Sequence, residues 1–119
     1  MKIVSNILVA LVALLHAWFL VLEMFLWSGP VGQRVFATTA AFAAQSAVLA
    51  ANQGLYNGFL AAGLIWGVIA DRRDVKLFFL GCVFVAGVYG AITAKHAILF
   101  VQAAPAMVAA IAVLLAKKE

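Results

Sequence analysis

Two ionisable side chains stand seven residues apart in an apolar run near the N-terminus. His16 and Glu23 are the first and last residues of the segment "HAWFLVLE", and the six residues between them are all apolar. Seven steps of about 100° bring the two side chains within about 20° of each other on one helix face, two turns apart. A buried imidazole and a buried carboxyl group can each take up and release a proton. The pair therefore predicts either proton transfer or the binding of a ligand. The alternatives are that Glu23 stays hydrated near the headgroups or pairs with Arg34, and that His16 is a satisfied interior group.

A second polar run, "NQGLYNG" at residues 52–58, interrupts a stretch that is otherwise apolar. A hydrogen-bonding group that faces hydrocarbon without a partner costs several kcal/mol, so we expect these side chains to turn into a helix bundle. For any single amide, an interhelical hydrogen bond worth about 0.6–2 kcal/mol is a sufficient explanation. The amides taken together with Glu23 favour a polar pocket, because an ionisable residue inside a membrane span is a functional hypothesis by default.

The elements that must position these residues are apolar helices. The chain has 119 residues, of which 68% are hydrophobic and 10% are charged. A soluble domain has about a quarter of its residues charged, so the composition predicts an integral membrane protein. The single cysteine, Cys82, excludes an internal disulfide bond.

The hydropathy pattern predicts an all-α, integral membrane four-helix bundle that forms a single transmembrane domain. A span needs about 20 apolar residues to cross about 30 Å of hydrocarbon. The predicted spans cover residues of about 3–27, 49–70, 77–94 and 97–116. Residues 35–48 are predicted to form a helical extension or an interfacial segment. Five spans are the less favoured alternative.

The basic residues predict the orientation of this bundle. Six of the eight lie on the side of the chain termini: Lys2, Arg72, Arg73, Lys76, Lys117 and Lys118. Only Arg34 and Lys95 lie on the other side. The positive-inside rule therefore predicts that both termini are cytoplasmic. The expected partners are membrane lipids with anionic headgroups. Nucleic acid is excluded, because no basic groove interleaved with aromatic residues is present.

With this orientation, polar residues of all four helices fall in the outer half of the bundle, whereas the inner halves hold almost nothing polar. A small-molecule ligand in this outer layer is the expected partner. The candidate ligand-binding residues are His16, Glu23, Trp27, Asn52, Gln53, Tyr56, Asn57, Tyr89 and Gln102. Aromatic residues at helix ends more often form an interfacial belt than a binding site. No metal site is predicted, because the histidines, Glu23 and Cys82 lack paired ligand spacing, and the pattern names no cofactor.

Small residues and a proline predict how the helices pack. Gly54 and Gly58 are four residues apart, as are Gly63 and Gly67, and this spacing lets helix backbones approach closely. Pro105 is expected to kink the last helix and to free a carbonyl group there. Because four short helices enclose little, a homo-oligomer is compatible with the pattern.

The runs "HAWFLVLEMFLW" and "NQGLYNGFLAAGLIWG", followed by a short charged loop, carry a family resemblance. Over essentially its whole length, the chain resembles the small bacterial membrane proteins grouped as domain of unknown function 1304. The resemblance implies a four-span architecture in the bacterial inner membrane. It implies no substrate and no reaction.

Three functions remain open from the sequence. The favoured one is a multi-pass membrane protein that binds or carries a small, partly apolar molecule in the outer polar pocket. The second is an intramembrane enzyme, such as an isomerase that moves a proton between His16 and Glu23 on a lipidic substrate. The third is a structural or accessory subunit of a membrane complex.

Overall fold

The computed structural model describes residues 1–116 as helices joined by short turns, without a strand among them. The all-α prediction is therefore confirmed. The helices are α1 (Lys2–Met24), α2 (Pro30–Phe36), α3 (Ala40–Ile69), α4 (Arg73–Thr93), a π-helical turn (Leu99–Ala103) and α5 (Ala104–Leu115). Lys117 and Lys118, on which the predicted orientation partly rests, lie outside the described residues.

The chain divides into two compact units. The middle unit comprises Leu14–Ala61, and the terminal unit combines Met1–Ala13 with residues 62–116. Helices α1 and α3 each contribute a segment to both units. Residues 35–48, for which an extension or an interfacial segment is predicted, contain the end of α2, a turn and the first nine residues of α3.

Local sequence signals account for the ends of these helices. Pro30 stands in the first turn of α2, where its missing N–H group costs nothing. The hydroxyl group of Thr39 accepts a hydrogen bond of 3.1 Å from the Phe42 N–H group, which caps the start of α3. At the end of α3, Asp71 adopts a left-handed conformation with φ of 53°. The N–H group of Arg72 then donates to the carbonyl group of Gly67, as in a Schellman motif.

Pro105 follows the π-helical turn in the sequence, and its missing N–H group explains that turn. Proline has no N–H group to donate to the carbonyl group four residues earlier. The backbone locally adopts a wider turn, in which the Ala104 N–H group donates to the carbonyl group of Leu99. A π-helical turn over Leu99–Ala103 thus precedes Pro105, and the kink and the freed carbonyl group stay predictions.

Small residues form much of the buried interior. The buried residues of α5 are Ala106, Ala109, Ala112 and Val113, which recur at helical spacing along one face. Large apolar side chains, by contrast, are often exposed. Ile3, Val48, Ile69 and Phe100 are each more than 70% exposed. An apolar exterior over a small-residue interior is typical of helices surrounded by lipid.

The helices themselves support fewer spans than the sequence predicts. Lys2–Met24 and Arg73–Thr93 are each long and apolar enough to cross a membrane. Pro30–Phe36 and Ala40–Ile69 would add a third span if this pair, bent by 90°, crosses as one unit. Leu99–Leu115 is shorter, about 25 Å at 1.5 Å per residue. The described residues thus contain two to three helices of spanning length, and the four-span bundle stays a prediction.

The glycine spacing correctly predicts close helix approach in both units. In the middle unit, a Cβ atom on Gly54 would lie 2.7 Å from Met24 Cγ. In the terminal unit, a Cβ atom on Gly67 would lie 2.8 Å from Lys76 Cγ and 3.0 Å from the Lys76 backbone nitrogen. Both distances are shorter than ordinary van der Waals contact, so only glycine fits these positions without a shift.

Candidate functional site

The central contact of the middle unit joins the two polar runs. The amide nitrogen Nδ2 of Asn57 donates a hydrogen bond of 2.5 Å to Oε1 of Glu23. Both side chains are half-buried. The carboxyl group near the end of α1 is therefore met by an amide from α3, 34 positions further along the chain.

Close packing of α3 on α1 brings these two side chains together. A Cβ atom on Gly54 would lie 3.0 Å from the Glu23 Cβ atom and 3.2 Å from the carbonyl oxygen of Leu20. A Cβ atom on Gly58 would lie 2.5 Å from Leu20 Cδ1. The two glycines bracket Asn57 in the sequence, so the helix face that permits close approach borders the residue that makes the hydrogen bond.

His16 lies deeper than Glu23 on the same helix. Its side chain is fully buried, and its ring meets the ring of Phe19 edge to face, with 5.2 Å between the ring centroids. Seven residues of α1 separate His16 from Glu23, a rise of about 10 Å. That rise exceeds hydrogen-bond length, so direct proton transfer between the two groups would need a relay.

Trp27 lies in the turn after α1 and makes two contacts within the middle unit. Its indole N–H group donates to the hydroxyl group of Ser46 over 3.0 Å, and Ser46 in turn donates to the carbonyl group of Phe42 over 2.6 Å. Its ring packs against that of Phe36 with centroids 4.8 Å apart. Trp27 thus ties the turn to α2 and α3, a role that its spacing in the sequence does not indicate.

The other polar side chains of the "NQGLYNG" run are exposed. Gln53 precedes Asn57 by one turn and is about 40° from it around the helix, and its side chain is exposed. Tyr56 is 54% exposed. Asn52 is exposed and donates to the carbonyl group of Val48 on its own helix over 2.9 Å. Only Asn57 among the four side chains contacts Glu23.

Tyr89 and Gln102 belong to the terminal unit, whereas Glu23 belongs to the middle unit. Tyr89 is 69% exposed and lines an apolar depression on α4 with Phe78 and Val85. Gln102 lies in the π-helical turn and is half-buried. Their membership of a common pocket with Glu23 stays a prediction.

The terminal unit holds a polar network that the sequence does not reveal. Lys76 is buried, and its ammonium group donates to the side-chain oxygen of Asn6 over 2.7 Å. The expectation that this end of the helices holds almost nothing polar is therefore wrong. Asn6 follows Ser5 near the start of an apolar run, and Lys76 belongs to the charged segment "DRRDVK" that the sequence predicts to be a loop. The sequence therefore gives little indication that the two residues form a pair.

Charged residues surround this buried lysine at the turn between α3 and α4. Lys2 forms an ion pair of 2.5 Å with Asp71, and Lys76 approaches the same carboxylate at 3.5 Å. The hydrogen bond from Lys2 holds the pKa of Asp71 below its usual range, and the charge of Lys76 adds to the effect. Arg72 pairs with Asp74 over 2.7 Å. Asp71 is therefore held in its charged form by two cations.

Metal binding finds no support in residues 1–116, where no three histidine, cysteine, aspartate or glutamate side chains come together. The chemistry available around Glu23 is hydrogen bonding and proton exchange by a carboxyl group beside an amide.

Comparison with known proteins gives the family. The profile of a family described as "Protein of unknown function (DUF1304)" matches residues 10–114. The chain belongs to the DUF1304 family. It is also 34% identical over 116 residues to the uncharacterized protein YpaA of Lactococcus lactis subsp. lactis (strain IL1403), an alignment that covers 93% of this chain and 97% of YpaA. No solved structure matches the chain. The matched region, residues 10–114, includes both Glu23 and Asn57.

Proposed function

We propose that this DUF1304 protein is a multi-pass protein of the cell inner membrane that binds a small, partly apolar molecule beside Glu23 and Asn57. The observation that carries the proposal is the 2.5 Å hydrogen bond between these two half-buried side chains. An ionisable group within an apolar helix is costly, and a single amide partner satisfies only part of it. A ligand would bind to the hydrogen-bond acceptor positions of the carboxyl group that Asn57 leaves open.

The membrane part of the proposal rests on the exterior and on the helix lengths. Large exposed apolar side chains and two to three helices of spanning length favour insertion into a bilayer. We propose a four-span bundle in which Leu99–Leu115, although short, is the fourth span. Within the terminal unit, Lys2, the turn at Asp71 and the end of α5 line one cavity. Their shared position supports an even number of spans, and the positive-inside rule places this end in the cytoplasm.

The chemistry of the Glu23 group limits the ligand. A carboxyl group offers about four acceptor positions, and within residues 1–116 one of them takes the Asn57 amide. A ligand hydroxyl or amine group can donate to the others. Gln53, exposed and one turn from Asn57, extends the row of amides. Because exposed apolar side chains flank this row, a molecule with one polar end and an apolar body suits it best, such as a lipid, quinone or isoprenoid fragment.

The same hydrogen bond also favours a second function, that of a structural or accessory subunit. Gly54 and Gly58 show that α1 and α3 pack tightly at this point, and a Glu–Asn pair can simply hold two helices together. The two functions differ in whether Glu23 engages a molecule besides Asn57.

Native mass spectrometry of the detergent-purified protein tests this difference. The comparison uses wild type, Glu23→Gln, Asn57→Leu and the control Asn52→Leu. The control removes an amide of the same run that bonds within its own helix. We expect wild type and Asn52→Leu to retain a bound small molecule, and Glu23→Gln and Asn57→Leu to lose it. Glu23→Gln, which can still accept from Asn57, should keep a thermal unfolding midpoint close to that of wild type.

Either of two results would overturn the binding proposal. Wild type could carry no molecule beyond detergent and bulk lipid, or Glu23→Gln could retain the same molecule at the same occupancy. In both cases the Glu23–Asn57 pair serves helix packing, and the structural function takes its place.

A further inference from the structure

A cavity of about 570 Å³ lies in the terminal unit, apart from the residues used by the proposed function. It is bordered by the start of α1, the turn between α3 and α4, and the end of α5. Its charged lining residues are Lys2, Asp71, Arg72, Arg73, Asp74 and Lys76. Among residues 1–116, four cations thus face two carboxylates, an excess of two positive charges in the described part of the lining.

The ion pairs within the lining show which of the positively charged side chains has no carboxylate partner. Asp74 is engaged with Arg72 through two hydrogen bonds, of 3.0 Å to Nε and 2.7 Å to Nη2. Asp71 is shared between Lys2 and Lys76. Arg73 has no carboxylate partner among residues 1–116: its Nη2 atom donates to the carbonyl group of Leu114 over 3.0 Å. The Nε atom of Arg73 is buried and lacks a hydrogen-bond partner there.

A buried donor without an acceptor is costly, so the Arg73 Nε group favours an acceptor in addition to those that residues 1–116 supply. The guanidinium group presents a planar set of donors that matches two oxygens of a phosphate group. Arg73 is also the first residue of α4, where the helix dipole adds positive potential. Leu77, Val113 and Leu114 give the same cavity an apolar wall.

We propose that this cavity binds an anionic phosphate group, with Arg73 as its principal donor, and that the phosphate is that of an anionic phospholipid headgroup. The polar side of the cavity holds the phosphate, and the apolar wall contacts the glycerol and the first acyl carbons. Lys76, held by Asn6, supplies a fixed positive charge at the base. The inference rests on the membrane insertion proposed above but not on the Glu23 site.

The test is native mass spectrometry of the full chain in detergent, titrated with dioleoylphosphatidylglycerol or with zwitterionic dioleoylphosphatidylcholine. The variants are Arg73→Gln and the control Arg34→Gln, which removes the same charge from an exposed position at the end of α2. We expect the first phosphatidylglycerol to bind wild type and Arg34→Gln equally, and to bind Arg73→Gln about tenfold more weakly. Phosphatidylcholine should bind all three proteins weakly and alike.

A competition experiment with inorganic phosphate distinguishes a lipid headgroup from free phosphate as the ligand of the cavity. Excess inorganic phosphate that leaves phosphatidylglycerol in place supports the lipid headgroup as the occupant. Displacement of the lipid by inorganic phosphate from wild type, but not from Arg73→Gln, retains the phosphate site and assigns it to the free anion. If Arg73→Gln does not fold, Arg73→Lys, which keeps the charge but loses the planar set of donors, replaces it under the same criterion.

Two outcomes overturn the inference. One is equal loss of phosphatidylglycerol affinity in Arg73→Gln and Arg34→Gln, which indicates attraction by net charge alone. The other is equal binding of the two lipids to wild type. Glu23→Gln must leave phosphatidylglycerol binding unchanged, so a failure at the Glu23 site and a failure at this cavity produce different results.

Discussion

The middle and terminal units each contain an asparagine that partners an ionisable side chain, and the two asparagines use opposite ends of the amide. Asn57 donates its amide nitrogen to the carboxyl group of Glu23. Asn6 accepts from the ammonium group of Lys76 through its amide oxygen. An amide carries both a donor and an acceptor, so it can satisfy a buried group of either charge without adding a charge of its own. In an apolar helix this makes asparagine a versatile partner.

The surroundings of the two pairs differ more than the pairs do. Glu23 is half-buried beside an apolar surface, and Asn57 is its hydrogen-bond partner. Lys76 is buried but belongs to a network with Asp71 and Lys2 that borders a charged cavity. A lone carboxyl group with one amide leaves acceptor positions for a ligand, whereas an ion-pair network is largely satisfied within the chain. This difference supports the proposal that Glu23 engages a ligand, whereas the proposed phosphate site beside Lys76 depends on Arg73, which has no carboxylate partner among residues 1–116.

The largest expected effect is at the Lys76–Asn6 pair. A double-mutant cycle with Lys76→Met and Asn6→Leu should give a coupling free energy of about 1.5–3 kcal/mol, because the bond involves a buried charge. The same cycle at Glu23→Met and Asn57→Leu should give about 0.6–1.7 kcal/mol, as for other hydrogen bonds between membrane helices. Unfolding by dodecyl sulfate in mixed micelles measures both. Equal couplings would contradict the distinction between the two units.

A somewhat smaller effect is expected where glycine separates the helices. Gly54→Ala and Gly67→Ala should each lower the free energy of unfolding by about 1–3 kcal/mol, since the added methyl group overpacks the interface. Gly67→Ala should cost somewhat more, because its new Cβ atom would meet two backbone atoms of Lys76, at 3.0 and 3.3 Å. That of Gly54→Ala meets one backbone atom, the Leu20 carbonyl oxygen at 3.2 Å, besides side-chain atoms of Met24 and Glu23.

Gly81 provides the matched control for these substitutions. A Cβ atom there would have no atom within 4 Å. Gly81→Ala should leave the protein as stable as wild type or slightly more stable, because alanine favours the helix. A loss at Gly81 equal to that at Gly67 would show that the cost arises from the substitution in general and not from the close approach.

The smallest expected effect is the pH dependence of the charged turn. The ion pair with Lys2 lowers the pKa of Asp71, so the unfolded chain binds its proton more tightly than the folded chain does. The stabilisation is present above the usual aspartate pKa and is lost as the pH falls through the lower pKa of the folded state. Unfolding of wild type and Asp71→Asn in mixed micelles, followed from neutral pH to below pH 4, measures this loss.

Between neutral pH and about pH 4, the free energy of unfolding of Asp71→Asn should fall less steeply than that of wild type. Added salt should reduce the difference, since the side chains of Lys2 and Asp71 are 36% and 51% exposed and their attraction is screened. A wild-type protein that is no more stable than Asp71→Asn at neutral pH, or whose stability does not fall toward that of Asp71→Asn as the pH drops through the lowered pKa of Asp71, would contradict this account of the turn.

Several features of this protein follow from the sequence by itself. A composition of 68% hydrophobic residues predicts apolar helices, because neither a strand pattern nor a polar surface is available. The four-residue spacing of Gly54 with Gly58 and of Gly63 with Gly67 predicts close helix contacts, since it places both glycines of a pair on one face. Glu23 is recognisable as a candidate site residue because a carboxyl group in such a run requires a partner.

Only the tertiary structure could decide which partners these residues have. Asn52, Gln53 and Asn57 are equivalent donors in the sequence, and the rotation of α3 against α1 presents only Asn57 to Glu23. Lys76 meets Asn6 across 70 positions of chain, and Trp27 bonds Ser46 across a turn. Each residue turns a helix by about 100°, so a partner is chosen by how two helices are rotated and packed. Composition and spacing determine that polar groups need partners, and helix packing determines which ones they meet.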